Sequence, residues 1–116
     1  MITVVPATPE VIRQQYGERP TPRMQAWVVK DEDKVLAVAG LAFRGHALEL
    51  FSDIRPEMKR YPVTLVRVAR AIMRRAQELN RPTFAIRDPD EPTSDALLRR
   101  LGFVETEQEG VYQWHS

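Results

Sequence analysis

The chain has 116 residues, of which 43% are hydrophobic and 28% charged, and its formal net charge is +1. That length suits one domain around one core, the composition excludes a disordered or fibrous chain, and the near-neutral balance excludes a protein drawn to nucleic acid or membrane by its overall field. Cysteine is absent, which excludes disulfides, thiolate metal sites and a cysteine nucleophile, and fits a reducing, cytoplasmic setting.

The first residues, Met1 to Pro6, lack a basic stretch followed by a long apolar one, and no apolar run approaches the roughly 20 residues that span a bilayer, so neither export nor insertion is expected. Ile2 to Val5 is β-branched and ends at a proline that cannot donate to a sheet ladder, which predicts an edge strand. Thr8 as N-cap and Pro9 at the first helical position predict a short helix through Tyr16, ending at Gly17. Met24 to Lys30 and Lys34 to Phe43 form a predicted hairpin around Asp31-Glu32-Asp33. The second of these runs is apolar on both faces and belongs in the middle of a sheet. Arg44-Gly45-His46 turns into a further strand, Ala47 to Ile54.

From Pro62 to Asn80, the residues Val63, Val66, Ala69, Ile72, Met73, Ala76 and Leu79 trace one stripe of a long helix. Thr83 to Arg87 reads as a short strand, and Asp88 to Pro92 as a loop. Thr93 or Ser94 caps a helix that runs to Leu101 and stops at Gly102. Phe103 to Glu107 and Val111 to His115 close the chain as a hairpin around Glu109-Gly110. The order βαβββαβαββ predicts a single α/β domain over residues 1–116, a mixed sheet with helices on both faces, the long helix crossing right-handedly between parallel strands.

Three stretches carry a resemblance. Val38-Ala39-Gly40-Leu41-Ala42, Glu49 to Glu57 followed by the long helix, and Ala96 to Phe103 with its Leu-Gly-Phe ending resemble the third strand, the fourth strand with its cofactor loop, and the C-terminal helix and strand of the GNAT N-acetyltransferase superfamily. The likeness is to its small, degenerate members, phage-encoded ones among them. It implies that the fourth and fifth strands splay apart and pair with the pantetheine arm of acetyl-CoA as co-substrate, and that the pyrophosphate lies at the start of the long helix, where free amides and the helix dipole favour an anion. The cofactor-binding residues so implied are Phe51, Ser52, Ile54, Lys59, Arg60, Tyr61, Val63 and Thr64. The usual loop follows a basic residue with glycines. Here Lys59 takes the basic position, and Arg60, Pro62 and Thr64 stand where glycines are expected.

Acyl transfer to an amine needs a base and is helped by an acid at the leaving thiolate. Glu49 is the first candidate base, Asp53 the second and His46 the third. The family's tyrosine acid aligns with Leu98, which leaves Tyr112 and Tyr61 as unaligned substitutes. Each has a plainer reading: Glu49 as a solvated residue on an alternating strand, His46 as a turn residue. The two histidines, 46 and 115, have no ligand spacing, so no metal site is expected. Arg67, Arg70, Arg74 and Arg75, with Arg99 and Arg100, read as solvated helix faces rather than a nucleic-acid surface, because no stacking motif accompanies them. These residues therefore predict an acyl-CoA-dependent N-acyltransferase acting on a small-molecule or protein amine, with an inactive binding or assembly protein of the same fold as the alternative. The short N-terminal region leaves the acceptor side open or completed by a second subunit in a homodimer.

Overall fold

A computed structural model describes residues 1–8, 10, 13, 17, 23–87 and 94–114. Its centre is β3 (Lys34–Arg44), whose residues from Leu36 to Ala42 are all buried, as a strand apolar on both faces must be. On one side lies β2 (Met24–Asp31), joined by a tight turn in which Glu32 adopts a positive φ of 53°. Beyond β2 is the edge strand β1 (Ile2–Pro6), paired from Ile2 opposite Asp31 to Pro6 opposite Trp27. On the other side, β4 (Ala47–Ile54) returns antiparallel to β3 through the Gly45-His46 turn.

The chain then makes a 3-10 turn (Pro56–Arg60) and enters the helix α1 (Pro62–Leu79), which Asn80 ends in the left-handed conformation. Met58 anchors the turn by burying its side chain completely, and Lys34 pairs with Glu57 at 3.3 Å across it. After α1 come β5 (Thr83–Ile86), parallel to β4, and the helix α2 (Ser94–Arg100). Next are β6 (Phe103–Glu105) and β7 (Val111–Trp114). β7 lies between β5 and β6, so the seven strands run in the order β1-β2-β3-β4-β5-β7-β6. β6 is shorter than expected because Thr106 turns the chain: its N–H donates to Val111 O at 2.8 Å and its hydroxyl accepts from the Gln108 N–H at 3.2 Å.

The larger core joins one face of the sheet to both described helices, through Ala39, Leu41, Leu48, Ile72, Ala76 and Leu98 among others. A smaller cluster of Ala26, Val28 and Val38, with Val5 and Phe51 against it, occupies the opposite face. Most of the helix expected over Thr8 to Tyr16, together with Thr93 and His115, lies outside the described residues, and Ser94 is the first residue of α2. Among the described residues, no helix is long and apolar enough to cross a membrane.

The buried stripe of α1 differs from the expected one. Val68, Ala69, Ile72, Met73 and Ala76 face the core, with Leu65 and Leu79 against it, while Val63 is 63% exposed. A chain of three-residue steps falls back about 60° per step on a 3.6-residue helix, so a stripe read as successive threes slides off the contact face. The contact face needs the fours, from Leu65 to Ala69 and from Val68 to Ile72.

Candidate functional site

β4 and β5 are paired only at Leu48 with Thr83, Glu49 with Phe84 and Leu50 with Ala85. Beyond that point β4 is laddered to β3, from Phe51 opposite Gly40 to Ile54 opposite Ala37, and Ile86 pairs with Val111 of β7. The two parallel strands therefore part. Past Leu50 and Ala85, β4 and β5 share no rung, and a cleft of about 340 Å³ fills the wedge.

Leu50 and Ala85 floor the cleft, Val68 and Ile72 of α1 and Leu97 and Leu98 of α2 wall it, and Ile54 and Ile86 stand exposed at its lip. Strand alternation gives it two sides. Leu48 and Leu50 point into the helix-side core, whereas Phe51 joins the cluster on the far face, together with the direction of Glu49 and Asp53. A ligand entering from the helix side would thus meet carboxylates on the opposite side of the sheet.

Of the residues expected to act in catalysis, Glu49 and Asp53 line the cleft. Glu49 is held by Arg44, whose Nε lies 3.5 Å from its Oε1. Their pairing follows from the hairpin: Glu49 stands opposite Ala42, so Arg44, two residues on, is its diagonal neighbour on the same face. His46 is exposed in the β3–β4 turn, outside the cleft wall.

Tyr112 is placed elsewhere. Its side chain is fully buried in the core, and its hydroxyl donates to the Asp95 carboxylate on α2. Arg99 completes this clamp, with Nε 3.0 Å from Asp95 Oδ1 and its guanidinium over the Tyr112 ring. The Tyr112 hydroxyl, then Arg99, holds Asp95 below its ordinary value of 3.8, and the same hydrogen bond raises Tyr112 above its ordinary 10.0.

A carboxyl depressed by folding adds stability that is complete above its unfolded value and lost as pH falls through the folded one; a phenol raised by folding adds stability complete below its unfolded value and lost as pH climbs through the folded one. Melting temperature should therefore fall at both extremes, below pH 3.8 and above pH 10.0, and Tyr112→Phe should flatten both limbs in a thermal melt series across pH.

Of the expected cofactor residues, Phe51, Ser52, Ile54 and Lys59 line the cleft; Arg60, Tyr61, Val63 and Thr64 lie just beyond it, at the junction into α1. Tyr61 packs against the core and does not plug the cleft. Its N–H donates to Met58 O at 2.9 Å and its carbonyl accepts from Leu65 N–H at 3.1 Å. Pro62 has no N–H, so Val63 and Thr64 present the free amides of the helix start. No His, Asp or Glu grouping fit for a metal ion occurs among the described residues.

No family model matches the sequence, and no curated protein does so significantly. Solved structures do match. An acetyltransferase from Acinetobacter baylyi ADP1, so assigned provisionally, superposes with TM-score 0.71 at 16% identity over 100% of this chain and 93% of its own. The ribosomal-protein-S18-alanine N-acetyltransferase of Escherichia coli gives 0.63 at 15% identity, covering 97% and 89%. AAC(6')-Iy, in complex with the bisubstrate analogue CoA-S-monomethyl-acetylneamine, gives 0.63 at 12% identity, covering 93% and 94%. The chain has the fold of the GNAT N-acetyltransferases.

Proposed function

We propose that the protein is an acyl-CoA-dependent N-acyltransferase that moves an acetyl group from acetyl-CoA to an amine on a small molecule or protein. The observation that carries this reading is the parting of β4 and β5 beside a cleft, in a fold shared with N-acetyltransferases. The stretch of β4 past its last rung with β5 suits the amides of a pantetheine arm, and the apolar walls suit its methylene segments. Lys59, Arg60 and the free amides of Val63 and Thr64 would meet the phosphates; with no glycine in this loop, side-chain cations replace close backbone approach.

The acceptor nitrogen attacks the thioester carbon from the far face of the sheet. A C–N bond forms, the C–S bond breaks, and the ammonium proton passes to the Glu49 carboxylate directly or through water. The sulfur needs no dedicated acid, since a thiol with a pKa of about 8.5 leaves readily as thiolate and takes its proton from water. That suits a site in which Leu98 replaces the family's tyrosine and the Tyr112 hydroxyl is engaged by Asp95. Most of the rate would come from holding amine and thioester together beside backbone donors.

The glycine-free loop and Leu98 favour a second reading, a binding or assembly protein of the same fold without turnover. Calorimetric titration separates the two. The first expects micromolar binding of CoA and acetyl-CoA, weakened about tenfold in Lys59→Ala, the value of one charge-assisted phosphate contact. Absence of binding by the folded protein would leave the second.

A further inference from the structure

α2 has only seven residues, Ser94–Arg100, yet its Leu97 and Leu98, with Leu101 just beyond, make one wall of the cleft. Two turns of helix do not hold a position by their own hydrogen bonds, so packing decides where α2 sits. The Leu101 N–H still donates to Leu97 O at 3.0 Å, so the helical spacing runs on through Leu101. At about 100° per residue, Asp95 and Arg99 flank Leu98 on one side of the helix, and Leu97 and Leu101 flank it on the other. Among the described residues of α2, Leu98 alone is buried. One buried side chain leaves a short helix free to roll about its axis, and rolling would carry Leu97 and Leu101 into or out of the cleft.

Both ends of α2 are tied against this motion. At the C-terminal end, Gly102 lies so close to Trp114 that a Cβ there would stand 3.2 Å from the indole Nε1. In the first turn, the Asp95 carboxylate accepts the Tyr112 hydroxyl. Arg99, 3.0 Å from Asp95 Oδ1 and 3.9 Å from Glu105 of β6, closes the clamp over the Tyr112 ring. Tyr112 is the fixed member. It is fully buried on a strand laddered on both sides, opposite Ala85 of the cleft floor and Glu105 of β6. Its hydroxyl therefore holds the flank of α2 that lies across the helix axis from Leu97 and Leu101.

We propose that Tyr112 is a positioning residue for the cleft: through Asp95 and Arg99 its hydroxyl sets the roll of α2, and with it the gap between Leu97, Leu101 and the facing wall of α1. The proposal rests on the reading of the cleft as a pantetheine site, and it leaves the chemistry at Glu49 untouched. A wall held in place before the ligand arrives need not be ordered by it, so the clamp acts on affinity for acetyl-CoA rather than on acyl transfer.

The test combines calorimetric titration of the full chain with CoA and initial rates over acetyl-CoA and amine concentrations, well below the melting temperature of each variant. Tyr112→Phe should weaken CoA and raise the KM for acetyl-CoA about five- to tenfold, the effect of two side chains left to be ordered on binding, with kcat and the KM for the amine within about twofold. Asp95→Ala should match it, and the double variant should be no worse than either single one. Asp95→Asn, whose amide oxygen still accepts from the Tyr112 hydroxyl, should recover most of the affinity. Gly110→Ala, in the turn between β6 and β7, is the control for lost stability and should leave CoA affinity as it is. Should Tyr112→Phe fail to fold, Asp95→Ala, whose side chain is 39% exposed, carries the same expectation. CoA affinity within twofold of wild type in the folded clamp variants, additive losses in the double variant, or a fall in kcat as large as the rise in KM overturns the proposal and leaves the cleft reading standing. Failure of the folded wild-type protein to bind CoA removes the cleft reading and the proposal together.

Discussion

Glu49→Gln should lower kcat for amine acetylation by about 10²- to 10³-fold while changing CoA affinity by no more than about twofold, because it removes a proton acceptor and little else. The substitution is nearly isosteric, and the amide oxygen remains a polar neighbour for Arg44, whose Nε lies 3.5 Å from the carboxylate in the wild-type protein. Glu49 also sits on the middle of the three rungs shared by β4 and β5, opposite Phe84, so its backbone is fixed on both sides and the change should not move the strand. Initial rates over a range of amine and acetyl-CoA concentrations, with CoA titrated separately, give both numbers. A rate within a fewfold of wild type would transfer the role of base to Asp53 or to water. A matched fall in CoA affinity would instead make Glu49 a structural residue.

The parts of the site that could be read beforehand are those set by local pattern. Alternation along Ala47 to Ile54 placed Glu49 and Asp53 on one face, and the apolar run of β3 placed its neighbour at the centre of the sheet. The parting of the strands rested on a resemblance rather than on periodicity, since no local spacing tells where a parallel partner leaves. The clamp of Asp95, Arg99 and Tyr112 was not legible, because it joins α2 to a strand 17 residues further on. A buried tyrosine and an exposed one look alike in an alternating strand. The Arg44 partner of Glu49 could have been found, because a tight Gly45-His46 turn dictates the register and the register dictates the diagonal. The cleft's leucines in α2 read simply as packing, and they do pack; that they also wall an opening depends on the distance between two helices and a split sheet.

Gly40→Ala should destabilise the protein by about 3 kcal/mol or more, lowering the melting temperature by roughly 10–15 °C. A Cβ on Gly40 would stand 2.1 Å from Gln25 O and 2.6 Å from Ala26 Cα. Both are backbone atoms of β2, which cannot turn aside as a flexible side chain would, so relief requires prying β2 from β3. The same glycine faces Phe51 across the β3–β4 ladder, at the residue where β4 leaves β5. The strain therefore reaches the cleft through the ladder, and CoA affinity should fall along with stability. Gly110→Ala provides the contrast. Its Cβ would meet nothing within 4 Å, but its φ of 78° is left-handed, so the cost should stay near 1 kcal/mol, with CoA affinity unchanged. Thermal melts with calorimetric CoA titration distinguish the two. Equal losses at both sites would mean that β2 yields easily over Gly40, and that the wedge between β4 and β5 does not depend on a close fit in the strands behind it.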